Sequence, residues 1–264
     1  MLKIQKLSKV FNKDTINENL VLDKLSLDIE EGDFITIIGS NGAGKSTLLN
    51  IISGSIEDYK GSIVLDDKEI SNLSEFKRTR FIGRVFQEPS LGTSPSMSIL
   101  ENLSMAHNKG KRFGISKGIS KKDIPYFKEL LSKLDLGLEN NLYNKVGLLS
   151  GGQRQAISLI MATMSNPKLL LLDEHTAALD PKTSEKMINL TEEIVKSKKI
   201  TTLMITHNLN HAIKLGNRLI MMHRGKILLD IKGEEKKGLT IEKLLNYFEK
   251  LQSQEVMSDR VLFS

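Results

Sequence analysis

The chain has 264 residues, of which 39% are hydrophobic, and it contains neither Cys nor Trp. This is enough apolar material for one sizeable core or two fused subdomains, and it excludes disulfides and thiol chemistry. Lysine and arginine outnumber aspartate and glutamate by 38 to 32, a net charge of +6; so mild an excess reads as a lysine-rich solvated surface, and few aromatics argue against a platform for stacking bases.

The opening "MLKIQKLSKVF" alternates like a strand and does not resemble a signal peptide. No apolar run approaches the roughly 20 residues that span a bilayer, so a cytosolic chain is expected. "LVLDKLSLDIEEGDFITIIG" reads as further short strands, ending at a glycine cluster, and "SNGAGKSTLLNIISG" turns helical after those glycines. "GSIVLDDKEI" is a strand and turn. From about residue 88 to 158 the pattern is helical, as in "SILENLSMAHNKG" and "PYFKELLSKLDL". Strand signals return at "KLLLLDE", "ITTLMIT" and "RLIMMHRGKILLD", separated by helical "TSEKMINLTEEIVKSK" and "NLNHAIKLG". "TIEKLLNYFEKLQ" is a short amphipathic helix. The order implies an α/β core interrupted by a helical insert. The basic run between Lys109 and Lys122 reads as a solvated loop; the alternative is a surface facing acidic lipid headgroups.

"GSNGAGKS", Gly39 to Ser46, fits the phosphate-loop pattern G-x-x-x-x-G-K-[ST], with a strand before it and a helix after. Gly39, Gly42 and Gly44 let the backbone N–H groups of the loop, which also holds Ser40, Asn41 and Ala43, curl round the β-phosphate without Cβ clashes. The helix behind them points its positive end at the anion. Lys45 reaches the β- and γ-phosphates, Ser46 ligates Mg²⁺ and Thr47 assists the phosphate contacts. Alone, this site means ATP or GTP.

"LLLLDE" is expected to be a buried strand of a parallel sheet, and ligands bind beyond the carboxyl ends of such strands. Asp173 is therefore placed to hold Mg²⁺ and Glu174 to orient or deprotonate the attacking water.

"LLSGGQRQA", Leu148 to Ala156, resembles the signature of ABC-type ATPases, with its core at Leu149–Gln153. "VFQEP" looks like their Q-loop, with Gln87; "AALD" like their D-loop, with Asp180; "MITHN" like their switch-histidine loop, with His207. Phe11 falls where the family usually places an aromatic against adenine. The resemblance covers nearly the whole chain. It implies a P-loop NTPase (RecA-like) α/β core with an N-terminal antiparallel β subdomain and an inserted α-helical subdomain: residues 1–88 and 159–230 as core, 89–158 as helical subdomain and 231–264 as a helical tail. It also implies a head-to-tail dimer, most simply a homodimer. ATP is then gripped by Lys45, Ser46 and Gln87 of one copy and by Ser150, Gly151, Gly152 and Gln153 of the other. Gln87 joins Ser46 and Asp173 at the metal, and His207 contacts the γ-phosphate.

Without membrane helices, a long coiled coil or zinc-bearing insertions, the pattern is that of a transporter's energy-coupling subunit at the cytoplasmic face of the membrane, docking on permease subunits just after Gln87. The insert resembles a bacterial importer subgroup paired with permeases of the branched-chain amino-acid type and an extracytoplasmic binding protein, some linked to tryptophan or tyrosine. No nucleic-acid partner is expected; the other reading is a nucleotide-driven clamp on nucleic acid or a protein complex. Of the five histidines, His107, His211 and His223 are expected to be structural or superficial. His175 departs from the family, which commonly has proline there.

Overall fold

The computed structural model describes residues 1–110 and 118–248; the middle of the basic run, 111–117, and the end of the tail, 249–264, lie outside them. The elements in chain order are β1 (Leu2–Phe11), β2 (Asn19–Ile29), β3 (Phe34–Gly39), α1 (Lys45–Ser53), β4 (Lys60–Leu65), β5 (Lys68–Glu69), α2 (Glu75–Arg78) and β6 (Ile82–Val85). Then follow α3 (Ile99–His107), α4 (Ile124–Ser132), α5 (Gly151–Met164), β7 (Leu169–Asp173), α6 (Pro181–Lys198), β8 (Thr201–Ile205), α7 (Leu209–Lys214), β9 (Arg218–His223), β10 (Lys226–Lys232) and α8 (Glu234–Lys237).

Two sheets organise the chain. One is antiparallel, in the order β2-β1-β4-β5; the other runs β10-β9-β3-β8-β7-β6, parallel except for the β10 edge. The parallel strands are buried on both faces, which is why they read as continuous apolar runs. The four leucines of β7 divide by parity. Leu169 and Leu171 join a cluster containing Leu48 and Leu49 of α1. Leu170 and Leu172 join one containing residues of α3, α4, α5 and α6. A third cluster gathers Ile38, Leu219, Met221 and Ile231 with Leu244, which lies in helical turns over 241–248. That stretch is the described part of the expected amphipathic tail.

Three expectations about element limits need correction. The insert does not end at 158, because α5 continues to Met164 and an uninterrupted helix cannot be cut there. The tail does not start at 231, because β10 runs to Lys232 and pairs with Arg218. "RLIMMHRGKILLD" is two strands joined at Arg224–Gly225, and β6 is a strand the pattern had not shown. At four residues, β6 is too short to display a period.

Strand order positions the site. β3 lies between β9 and β8, and β7 follows β8, so the loops after β3, β7 and β8 open from one sheet edge about 5 Å apart per strand.

Candidate active site

The loop after β3 is shaped by contacts that glycine alone permits. Gly39 has φ 152°, and a Cβ there would lie 2.1 Å from the Met222 carbonyl oxygen of β9. Ala43 donates its N–H to Ser40 O at 3.2 Å, and Gly225, in the β9–β10 turn, donates to Ala43 O at 3.2 Å. The turn thus supports the loop from behind. α1 begins at Lys45 with Gly44 as its cap, and the N–H groups of its first turn, including those of Lys45, Ser46 and Thr47, have no partner within the helix. They form an anion-binding end. The Lys45 ammonium folds back over the loop, donating to Gly39 O at 2.8 Å and Ser40 O at 3.0 Å. Burial pushes its pKa down; the charges of Glu174 and Asp173 oppose that shift.

Asp173 continues the parity of Leu169 and Leu171 and so points to the α1 side, where its Oδ1 accepts from Ser46 Oγ at 3.2 Å. Its Oδ2 lies 3.9 Å from Arg84 Nη2. Burial pushes the carboxyl up, opposed by the Ser46 hydrogen bond and by the charges of Arg84, Lys45 and His207. Ser46, Gln87 and Asp173 line one cleft of about 710 Å³ with Asn50, Arg84 and Ala178. Ser46, Gln87 and Asp173 offer hard oxygen donors with a single carboxylate. That set suits Mg²⁺ shared with phosphate oxygens, not an all-protein cage; no cluster of three or more His, Cys, Asp or Glu side chains occurs among the described residues.

Glu174 leaves the strand. Its φ is 44°, a left-handed value uncommon for a non-glycine residue and typical of strained functional turns. Its carboxylate meets His207 Nε2. His207 follows β8, the strand beside β7, and both residues line a cavity of about 440 Å³ with Thr206, Asn208 and His211. His211 thus shares this cavity with Glu174 and His207. α7 begins two residues after His207 and is capped by Asn208, which receives the His211 N–H at 3.2 Å. His107 packs against Tyr126 and Phe127, as a structural ring does.

The signature opens α5 as a capping box: Ser150 Oγ accepts from Gln153 N at 3.3 Å and Gln153 Oε1 accepts from Ser150 N at 3.1 Å. None of Ser150, Gly151, Gly152 and Gln153 lines the cleft with Ser46 and Asp173. Phe11 also stands apart from it, at the end of β1 opposite Asn19, with Lys9 Nζ 4.8 Å from its ring centre.

Sequence reasoning had missed Arg84. Its guanidinium donates to Ser53 Oγ at 3.0 Å and Ser55 Oγ at 3.2 Å, touches Asn50 and stacks 4.4 Å over Phe86. Gln155 of α5 was missed as well; it is buried and donates to Phe86 O at 3.1 Å. A lone arginine inside the apolar "FIGRVF", three residues before Gln87, was the available signal.

Fold and site together define a P-loop ATPase whose phosphate loop and acid pair meet at one sheet edge. Residues 22–177 match the ABC transporter family. The chain is 55% identical to the "Tyrosine transport ATP-binding protein" of Clostridioides difficile (strain R20291), over 94% of this chain and 99% of that one. It is 34% identical to the "Methionine import ATP-binding protein MetN" of Clostridium tetani (strain Massachusetts / E88), over 93% and 76%. Among solved structures it resembles the ATP-binding cassette MJ0796, a dimer in a post-hydrolysis state bound to ADP and Pi, with TM-score 0.76 and 30% identity over 88% of this chain and 98% of that one. The chain belongs to the ABC transporter family, as its ATP-binding, ATP-hydrolysing subunit.

Proposed function

We propose that this ATPase is the energy-coupling subunit of an amino-acid importer, with an aromatic amino acid such as tyrosine or tryptophan as cargo. The relative named for tyrosine transport supports the cargo. The chemistry rests on one observation: Asp173 and Glu174, adjacent in sequence, part at the end of β7, one toward Ser46 and the other toward His207.

In this reading the loop Gly39–Gly44 and the first turn of α1 cradle the phosphates, with Phe11 near adenine. Lys45 exchanges its two carbonyl partners for phosphate oxygens. Ser46, Asp173 and Gln87 would hold Mg²⁺, which would supply charge neutralisation at the phosphates. Glu174 accepts a proton from the attacking water, and His207 fixes the Glu174 carboxylate before contacting the γ-phosphate. Ser150–Gln153, remote from this cleft, serve the site of a second copy in a homodimer.

The division of labour along the chain follows: a β-plus-RecA-like core, and a helical subdomain between them that carries the signature. Between α2, the segment after Gln87, α3 and α5 lies a groove of about 600 Å³ lined by Phe76, Leu91, Met105 and Met161. Phe76, Leu91 and Met105 are 76%, 66% and 58% exposed. Such an apolar patch fits the permease, so the subunit would sit on the cytoplasmic face of the membrane; no helix among the described residues is long and apolar enough to cross it. An extracytoplasmic binding protein would then act on the permease, not on this chain.

Glu174→Gln tests the chemistry. Turnover should fall by about 10²–10⁴-fold while ATP binding is retained; near-normal hydrolysis removes Glu174 from this role. Transport by the reconstituted complex across an amino-acid panel tests the cargo, and stimulation by DNA or RNA without a permease would count against the importer.

A further inference from the structure

Thr191 of α6 is fully buried, and its hydroxyl donates to the Met187 carbonyl, one turn back, at 2.8 Å. A hydroxyl has one proton to give. The 3.1 Å contact between His175 Nε2 and Thr191 Oγ1 therefore runs the other way: Nε2–H donates and the hydroxyl accepts. Hydrogen-bond accounting thus assigns the ring proton to Nε2. His175 Nδ1 is left bare, buried and without a hydrogen-bond partner among the described residues.

His175 directly follows Glu174, and the turn between them is held at three points. Glu174 N–H donates to Ile205 O at 3.1 Å, and Glu174 O accepts from Ala177 N–H at 2.9 Å. The third point is the His175 ring, 1% exposed, which ties the turn to the middle of α6. The first two bonds stay within the loop and the sheet edge. Only the third reaches the helix that follows Asp180.

We propose that His175 is a positioning residue: its Nε2–H···Oγ1 bond to Thr191 locks the left-handed turn that aims the Glu174 carboxylate at His207. The proposal rests on the reading of Glu174 as the base. It requires a neutral ring that never touches nucleotide, so its loss should slow the chemical step and spare ATP binding. A hydrogen bond lost between two buried groups leaves one of them unsatisfied, so the turn gains alternatives in which the carboxylate is misplaced, and misplacement near 1 Å costs rate steeply.

The test measures kcat, KM and ATP affinity of the full chain. Thr191→Val and His175→Ala should each lower kcat about tenfold, with KM and ATP affinity within about twofold. Thr191→Ser, which keeps the acceptor, and His175→Gln, whose amide N–H can reach it, should restore most of the rate. The double variant should be no slower than the slower single variant, as two halves of one bond require. An unchanged kcat in Thr191→Val overturns the proposal. So does a parallel loss of kcat and ATP affinity, or a double variant in which the two losses multiply. If His175→Ala does not fold, Thr191→Val, which nearly conserves volume, decides alone. Glu174→Gln separates the two levels: near-normal turnover there sinks the base assignment itself, whatever Thr191 does.

Discussion

Asp173 and Glu174 show how much one backbone angle decides. Strand periodicity carries Asp173 to the α1 side and would carry Glu174 to the opposite one. The φ of 44° at Glu174 ends that alternation and delivers the carboxylate to His207. Lys45 is the residue whose removal should cost most in binding. Exchanging two carbonyl partners for phosphate oxygens makes charge-assisted bonds, so Lys45→Met should weaken ATP binding by about 10–100-fold in a fluorescent-nucleotide titration. His175 makes a separate prediction about stability. Burial, with a smaller push from His211, lowers its imidazole pKa from the ordinary 6.5 to about 4. Between those values the unfolded chain binds a proton that the folded chain refuses. This contribution is therefore constant above about pH 6.5 and is lost as pH falls toward 4, by about 3 kcal/mol in all. Denaturant unfolding at pH 5 and 7.5 should show a loss that is smaller in His175→Gln.

At the scale of elements, α5 and α6 lie side by side, their first turns meeting at Gly152 and Thr183 and their last at Thr163 and Lys198. A Cβ on Gly152 would fall 2.3 Å from Thr183 Cγ2, while Thr183 N–H donates to Asp180 Oδ1 at 3.1 Å to start α6. The second signature glycine is thus required by α6 even before any partner is considered. Gly152→Ala should destabilise the chain by about 1–3 kcal/mol through overpacking, and adding Thr183→Ser, which deletes the methyl but keeps the N–H, should recover most of it in thermal unfolding. The cap of α5 has its own value: Ser150→Ala should cost about 1 kcal/mol. Short elements were the hard ones to read. β6 has four residues, yet it brings Arg84 against Asp173 and Phe86 against Gln155, so the strand before Gln87 joins Asp173 to the signature helix.

For the whole molecule, Ser150–Gln153 lie outside the cleft at Ser46 and Asp173, so in the proposed dimer each chain would carry two half-sites. With ATP and Mg²⁺, Glu174→Gln should double its mass in light scattering, and Ser150→Arg should block that doubling while leaving ATP binding to the isolated chain intact. A mass that stays that of one chain under both conditions would sink the composite site. The sequence by itself determined the motif order, the α/β class, the strand–loop–helix context of Gly39–Ser46 and the candidate site residues, because each depends on local periodicity or on residue types at fixed spacing. Tertiary structure alone decided that the Glu174 carboxylate meets His207, that Arg84 supplies a cation at Asp173, and that the Gly225 turn supports Ala43. It also buried His175 against Thr191, 16 residues away. These are pairings of distant segments across sheet order and helix packing, and nothing in the spacing of either partner encodes the other.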